Sequence, residues 1–241
     1  MLSYLIFFAV FCCAIQMRSS EKKAKKPSPD EVKEMLTKAN ARFAEGKAEH
    51  PRTDKDWIKF ASSNDQGKYA IATVVTCADS RVPVERIFDQ GVMDIFTIRN
   101  AGNFCCTDIE SIEYGIAHVQ TPLLVILGHT QCGACNAGVQ HHDTDPESLD
   151  SAAAVIVKRL HPVVKNVKQA NSDADEQTLV NEVIEANVWN EMKELFTRSE
   201  TTRNLVKEGK VKVVGAIYEL ESGKVRWLDA EKPGAILEEV S

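Results

Sequence analysis

Cys77, Asp79 and Arg81 alternate along one short segment, and His129 and Cys132 stand three residues apart further along the chain. Two thiols and an imidazole suit zinc, which takes Cys sulfur at about 2.3 Å and His nitrogen at about 2.0–2.1 Å. Catalytic zinc sites usually offer three protein ligands and leave the fourth position to water or substrate. One turn can aim His129 and Cys132 at the same ion. Cys77 must arrive from elsewhere, so the site would be a product of the fold rather than a local knuckle. Water on such an ion is acidified to a pKa near 7 and supplies hydroxide at neutral pH. In an extended segment, residues 77, 79 and 81 point to the same side. Asp79 could then accept a hydrogen bond from the zinc-bound water while Arg81 holds the carboxylate through a bidentate pair.

Each of these residues also has a plainer reading. Asp79-Ser80-Arg81 alone is an ordinary surface turn with an ion pair, but its place beside Cys77 and the His129/Cys132 segment favours the catalytic role. Cys135 extends the spacing of His129 and Cys132, and would close a Cys3His structural site with Cys77. The other reading of Cys135, an inert buried thiol on the next helix, is preferred because a closed site leaves Asp79 and Arg81 without purpose. His118, His141, His142 and His161 are proton-shuttle candidates by residue type only, and none is selected.

The elements that must position these residues alternate between two periods. Residues 69–76, 94–98 and 123–127 read as strands, the first and last as continuous apolar runs. Between them, residues 83–88 and 108–119 read as helices, the second with Thr107 as N-cap. Such alternation implies βαβ units and a mostly parallel central sheet flanked by helices, an α/β fold. The three candidate ligands then fall at or just beyond strand C-termini, where open α/β sheets place their sites. Residues 151–167, 175–196 and 201–207 are helical, and 211–218 with 224–228 form a closing strand pair. A helical arm precedes the sheet: Ser28 or Asp30 caps it, Pro29 stands at or near its first turn, and Val32, Met35, Leu36, Ala39 and Phe43 form an apolar stripe. That stripe needs a partner surface, and a neighbouring subunit is the expected one.

The 241 residues carry a formal net charge of −6, which argues against nucleic acid as a partner. Residues 1–17 stand apart, because Leu2 to Ile15 is a nearly continuous apolar run. It is shorter than the roughly 20 residues needed to span a bilayer, and its length suits a signal peptide or short hydrophobic anchor. Residues 18–29 read as a charged linker and 30–241 as the zinc domain. Delivery through the secretory pathway follows as an expectation. Cys12 and Cys13 would leave with a signal peptide or could be acylated if the segment stays. The five other cysteines do not suggest a disulfide framework.

Three segments carry a resemblance: Cys77-Ala78-Asp79-Ser80-Arg81-Val82, Arg99-Asn100-Ala101-Gly102-Asn103 and Gly128-His129-Thr130-Gln131-Cys132-Gly133. In residues, order and separation they closely resemble the signature of the β-class carbonic anhydrases. The specific likeness spans residues 66–138, and the element order fits the family from about residue 30 to 228. The resemblance implies zinc held by Cys77, His129 and Cys132. It also implies a catalytic dyad in which Arg81 keeps Asp79 away from the metal so that water can occupy the fourth position. It matches Gln66, after a two-residue shift, and Phe96 and Tyr114 to the carbon dioxide pocket, and Gly133 to the glycine after the last ligand. It further implies a homodimer or dimer of dimers, with the pocket at a subunit interface and the glutamine and tyrosine supplied by the neighbour. Val74 stands where members with a bicarbonate-inhibited closed state carry Trp, which resembles the always-open subgroup; read on its own it is a strand core residue.

The expected activity is reversible hydration of carbon dioxide to bicarbonate and a proton through a zinc-bound hydroxide. The alternative with the same site is hydrolysis of carbonyl sulfide or carbon disulfide. A non-catalytic zinc-stabilised module, with Cys135 as fourth ligand, is the reading from a different class.

Overall fold

The computed structural model describes residues 26–145 and 148–241. The expected apolar segment 1–17, and the linker up to residue 25, lie outside the described residues. Five strands form one sheet in the order β2-β1-β3-β4-β5: β1 Ala72–Cys77, β2 Ile95–Asn100, β3 Leu123–His129, β4 Lys212–Tyr218 and β5 Val225–Trp227. The first four run parallel and β5 pairs antiparallel with β4. The α/β class and the closing strand pair match the expectation from sequence.

Strand alternation divides the core into two layers. Val75, Leu124, Ile126, Val213 and Ile217 face one layer. It is built by α5 (Gly133–Gln140), α6 (Ser151–Ala170) and α7 (Glu176–Arg198), together with α9 (Lys232–Glu239). Ala72, Val74, Leu123, Val125, Leu127, Val214 and Ala216 face the other, against α1 (Pro29–Ala44) and α3 (Val84–Ile87). Val74 is therefore a fully buried strand core residue. The helices α2 (Lys55–Ala61) and α9 were not apparent from periodicity, whereas α8 (Glu200–Lys207) was.

Four expectations change in detail. Strand β1 starts at Ala72, because Tyr69 and Ala70 still donate their amides to Gln66 O in the turn before it. Asp94 precedes β2 rather than joining it, since its carboxylate accepts bonds from Arg52 Nε and Gly91 N. Thr107 does not cap the next helix. It donates to Phe104 O and Asp108 Oδ2, so the helix begins later as α4 (Ile109–Glu113) and widens into a π-helical turn over Tyr114–His118. The charged linker does not run to residue 29: Lys26 Nζ donates to Ala70 O, Val119 O and Gln120 O, and Ser28 caps α1 in a capping box with Glu31.

The apolar stripe of α1 is also corrected. Val32 and Leu36 are fully buried against the chain's own sheet, so no neighbour is needed to cover them. Met35 is turned outward at 43% exposure, and Asn40 takes the inner position instead. Asn40 donates to Ile87 O and Gly223 O and accepts from Val225 N, tying α1 to α3 and to the turn between β4 and β5.

Candidate metal centre

Cys77 is the last residue of β1 and His129 the last of β3, adjacent strands whose parallel pairing brings both to the same rim. Beyond β3 the chain passes through Gln131, whose positive φ of 56° makes the tight turn that returns Cys132 to His129. Cys132 then stands at the N-cap of α5. One donor atom from each of the three residues lies within 4.8 Å of the others, and all three residues are buried. This is the one such group of His, Cys, Asp and Glu among the described residues.

The imidazole is set by its backbone. His129 Nδ1 lies 2.9 Å from Thr130 O, an acceptor, so Nδ1 carries the proton and Nε2 presents its lone pair. Nε2 is buried and has no hydrogen-bond partner among the described residues, a costly state for a polar atom. Both thiol pKa values are pushed up to about 12: Cys77 mainly by its bond with Cys132, Cys132 mainly by its bond with Cys135, and both also by burial. Two crowded thiols and an orphaned imidazole nitrogen are mutually unfavourable as neutral groups and complementary around a soft divalent cation. The donor set fits zinc.

Asp79 and Arg81 sit at the mouth of this cluster. Arg81 Nε donates to Asp79 Oδ1 at 3.0 Å and Nη2 to Oδ2 at 2.7 Å, while the Arg81 amide adds a third bond to Oδ1 at 2.9 Å. These bonds hold the carboxyl well below the usual carboxylate range, so it is ionised. Oδ2 stays 4.0 Å from His129 Nε2. Asp79 is thus clasped beside the donor group without being one of the three. Arg81 also reaches the other loop, donating to Gln131 O at 3.2 Å and Oε1 at 3.4 Å. Arg99 supports the first loop from below, with Nη2 donating to Asp79 O at 2.7 Å and Nε to Cys77 O at 3.3 Å.

The residues expected to line the pocket lie elsewhere. Phe96 pairs with Thr73 while Asn100 pairs with Cys77, so Phe96 is four residues down the ladder, about 13 Å at 3.3 Å per residue. Tyr114 packs beside Phe96, with ring centroids 5.9 Å apart, and is 50% exposed. Gln66 precedes β1 in a 3-10 turn, at the end of the strand opposite to Cys77. Gly133 alone adjoins the cluster, and a Cβ there would meet nothing within 4 Å, so the space before α5 is open. The roles of Gln131 and Arg99 were not apparent from sequence. A non-glycine residue at positive φ leaves no compositional mark, and Arg99 acts through backbone carbonyls.

An α/β sheet with a Cys, His and Cys cluster at its C-terminal rim and an Asp–Arg pair beside it has the form of a metal-assisted hydration or hydrolysis site. The family model described as carbonic anhydrase matches residues 72–225. Carbonic anhydrase 2 of Mycobacterium tuberculosis H37Rv is 32% identical over 190 residues, covering 78% of this chain and 87% of the relative. The carbonic anhydrase of Mycolicibacterium smegmatis is 33% identical over 194 residues, covering 79% and 88%. Among solved structures, the β-carbonic anhydrase CcaA superposes with a TM-score of 0.66 at 22% identity, covering 82% of this chain and 95% of that one. A tetrameric β-carbonic anhydrase of Sordaria macrospora gives 0.61 at 23% identity, covering 82% and 97%. The chain belongs to the carbonic anhydrase family. It is an enzyme of the carbonate dehydratase class, whose general reaction is hydration of carbon dioxide.

Proposed function

We propose that Cys77, His129 and Cys132 hold one zinc ion per chain and that Asp79 and Arg81 form the dyad that orients the reacting water. The observation that carries this reading is the buried, unpartnered His129 Nε2 beside two thiols, with Asp79 clasped by Arg81 at their mouth. When bound, zinc supplies a Lewis-acidic position that lowers the pKa of water to near 7. Asp79, ionised and anchored at both oxygens, would accept a hydrogen bond from a water held there and fix its direction. Arg81 holds the carboxylate turned away from the three donor atoms. The space in front of Gly133 admits a small uncharged substrate, and the exposed side of the dyad gives the released proton a route to buffer.

The pocket is completed by a second copy of the chain. Gln66, Phe96 and Tyr114 lie far down the ladder from their own chain's cluster, and Tyr114 turns half of its surface outward. The assembly is a homodimer or dimer of dimers, in keeping with the tetrameric Sordaria relative. The apolar segment Leu2 to Ile15 directs the chain to the secretory pathway. An intact Met1 on the mature protein, read by mass spectrometry, would argue against that destination.

Stopped-flow measurement with a pH indicator on zinc-loaded protein tests the activity: acceleration of carbon dioxide hydration is expected, and a rate equal to the uncatalysed one would refute it. Sulfide release from carbonyl sulfide or carbon disulfide, faster than carbon dioxide hydration, would instead assign the site to those linear substrates.

A further inference from the structure

The loop after β2 passes directly behind Cys77. Asn100, at its start, pairs with Cys77 in the β1–β2 ladder and accepts the Ala78 amide at 2.9 Å, and a Cβ on Gly102 would stand 3.3 Å from Ala134, two residues past Cys132. The φ of +95° at Gly102 and the 2.7 Å that a Cβ would leave to the Phe104 ring make glycine necessary at this approach. On the strand side the loop is bracketed by Asn100, whose Nδ2 donates to Phe104 O at 2.7 Å and whose Oδ1 accepts from Phe104 N at 2.7 Å. On the other side it meets α7, and there two polar side chains stand one turn apart in an otherwise apolar face. Asn187 Nδ2 donates to Gly102 O at 3.0 Å. Glu191 Oε2 accepts the Cys105 amide at 2.7 Å.

We propose that Asn187 and Glu191 are positioning residues that clamp the 102–106 loop and so brace the strand end that aims the Cys77 sulfur. This rests on the reading of Cys77 as a metal ligand. A ligating thiolate whose backbone is braced keeps its direction, which is how outer contacts tune a metal site. The cost of the arrangement argues for a positional role. Asn187 is 1% exposed and its Oδ1 has no partner among the described residues, while Glu191 is a carboxylate at 2% exposure. An apolar side chain at either place would spare the helix an unpartnered amide oxygen or a desolvated carboxyl, and the groups it would strand are those of the loop, the Gly102 carbonyl and the Cys105 amide. Helix packing alone therefore does not explain either residue, whereas the Cys105 amide and the Gly102 carbonyl do.

The test replaces Asn187 with Leu, which matches its bulk, and reads metal affinity against thermal stability. Zinc affinity, measured by chelator competition on the full chain, should fall 10- to 100-fold in protein that still shows a cooperative melting transition. The cobalt-substituted protein should show a shifted sulfur-to-cobalt charge-transfer band, a signature that a purely structural contact does not move. For Glu191, Glu191→Ala should lower zinc affinity, and Glu191→Gln, which keeps an oxygen for the Cys105 amide, should restore it. Unchanged affinity and an unchanged cobalt spectrum in folded Asn187→Leu would overturn the proposal. If that variant does not fold, Asn187→Ala is read by the same two measures, and failure of both to fold would make the role structural and overturn it equally. A wild-type cobalt protein without any sulfur charge-transfer band would instead reject Cys77 as a ligand, a separate result.

Discussion

At the C-terminal end of β1, the groups around Cys77 are tied within one chain: Arg81 to Asp79 and Gln131, and Arg99 to two carbonyls. At the other end, Tyr114 and Phe96 pack on each other and Tyr114 is half exposed. The first region has its loops braced internally around an unpartnered His129 Nε2; the second offers surface. A metal centre must be rigid before substrate arrives, so its supports come from the same polypeptide. A pocket for a small apolar molecule needs only shape and dryness, which a second copy can supply.

Substitutions should separate the two ends. Cys77→Ser, His129→Ala or Cys132→Ser should abolish zinc binding and bring turnover to the uncatalysed rate, read by metal analysis and stopped flow. Asp79→Asn or Arg81→Ala should keep one zinc per chain while lowering kcat by about 10²- to 10⁴-fold, the range of a lost proton-handling group. Full activity in Asp79→Asn would remove the dyad from the mechanism. Tyr114→Ala should act differently, leaving metal content intact, loosening the oligomer in sedimentation and lowering kcat/KM about tenfold, or roughly 1.4 kcal/mol.

The two faces of the sheet give smaller and purely energetic tests. Because Val32 and Leu36 are buried in the same chain, removing α1 should destabilise each protomer by about 3–6 kcal/mol, at 1.5–3 kcal/mol per buried aliphatic side chain. Dissociation of the oligomer with undiminished protomer stability would contradict the packing. On the opposite face, burial, with the nearby Glu194 charge adding to it, pushes the Glu191 pKa up from 4.5 to about 7 even though the Cys105 and Cys106 amides oppose the shift. A carboxyl raised in the fold stabilises it when protonated. That contribution is complete below pH 4.5 and is lost as pH rises through about 7. Glu191→Gln should therefore gain stability relative to wild type between pH 5 and 8, by at most about 3 kcal/mol at 1.36 kcal/mol per pH unit. A pH-independent difference in denaturant unfolding would reject the assignment.

The contrast between the two ends also explains what the sequence made legible. Cys77, Asp79 and Arg81 are neighbours in the chain and both ligand segments end strands, so local spacing disclosed the cluster and the Asp–Arg pair. Asn187 and Glu191 were hidden because they are polar residues in a long helix, a pattern that usually means solvent. The amphipathic stripe of α1 showed that a surface is covered but not whose, and the chain's own sheet proved to be the answer. Gln66 and Tyr114 were marked by resemblance alone, since nothing local to them requires a particular chemistry.

The central claim is an open centre with two sulfurs, and Cys135 is its sharpest challenge, because it is a buried thiol in the first turn of α5, three residues after Cys132. X-ray absorption at the zinc edge of the full-length protein measures this directly. The predicted result is two sulfurs near 2.3 Å and two nitrogen or oxygen neighbours near 2.0–2.1 Å. Three sulfurs and a single nitrogen would close the fourth position to water and contradict the account.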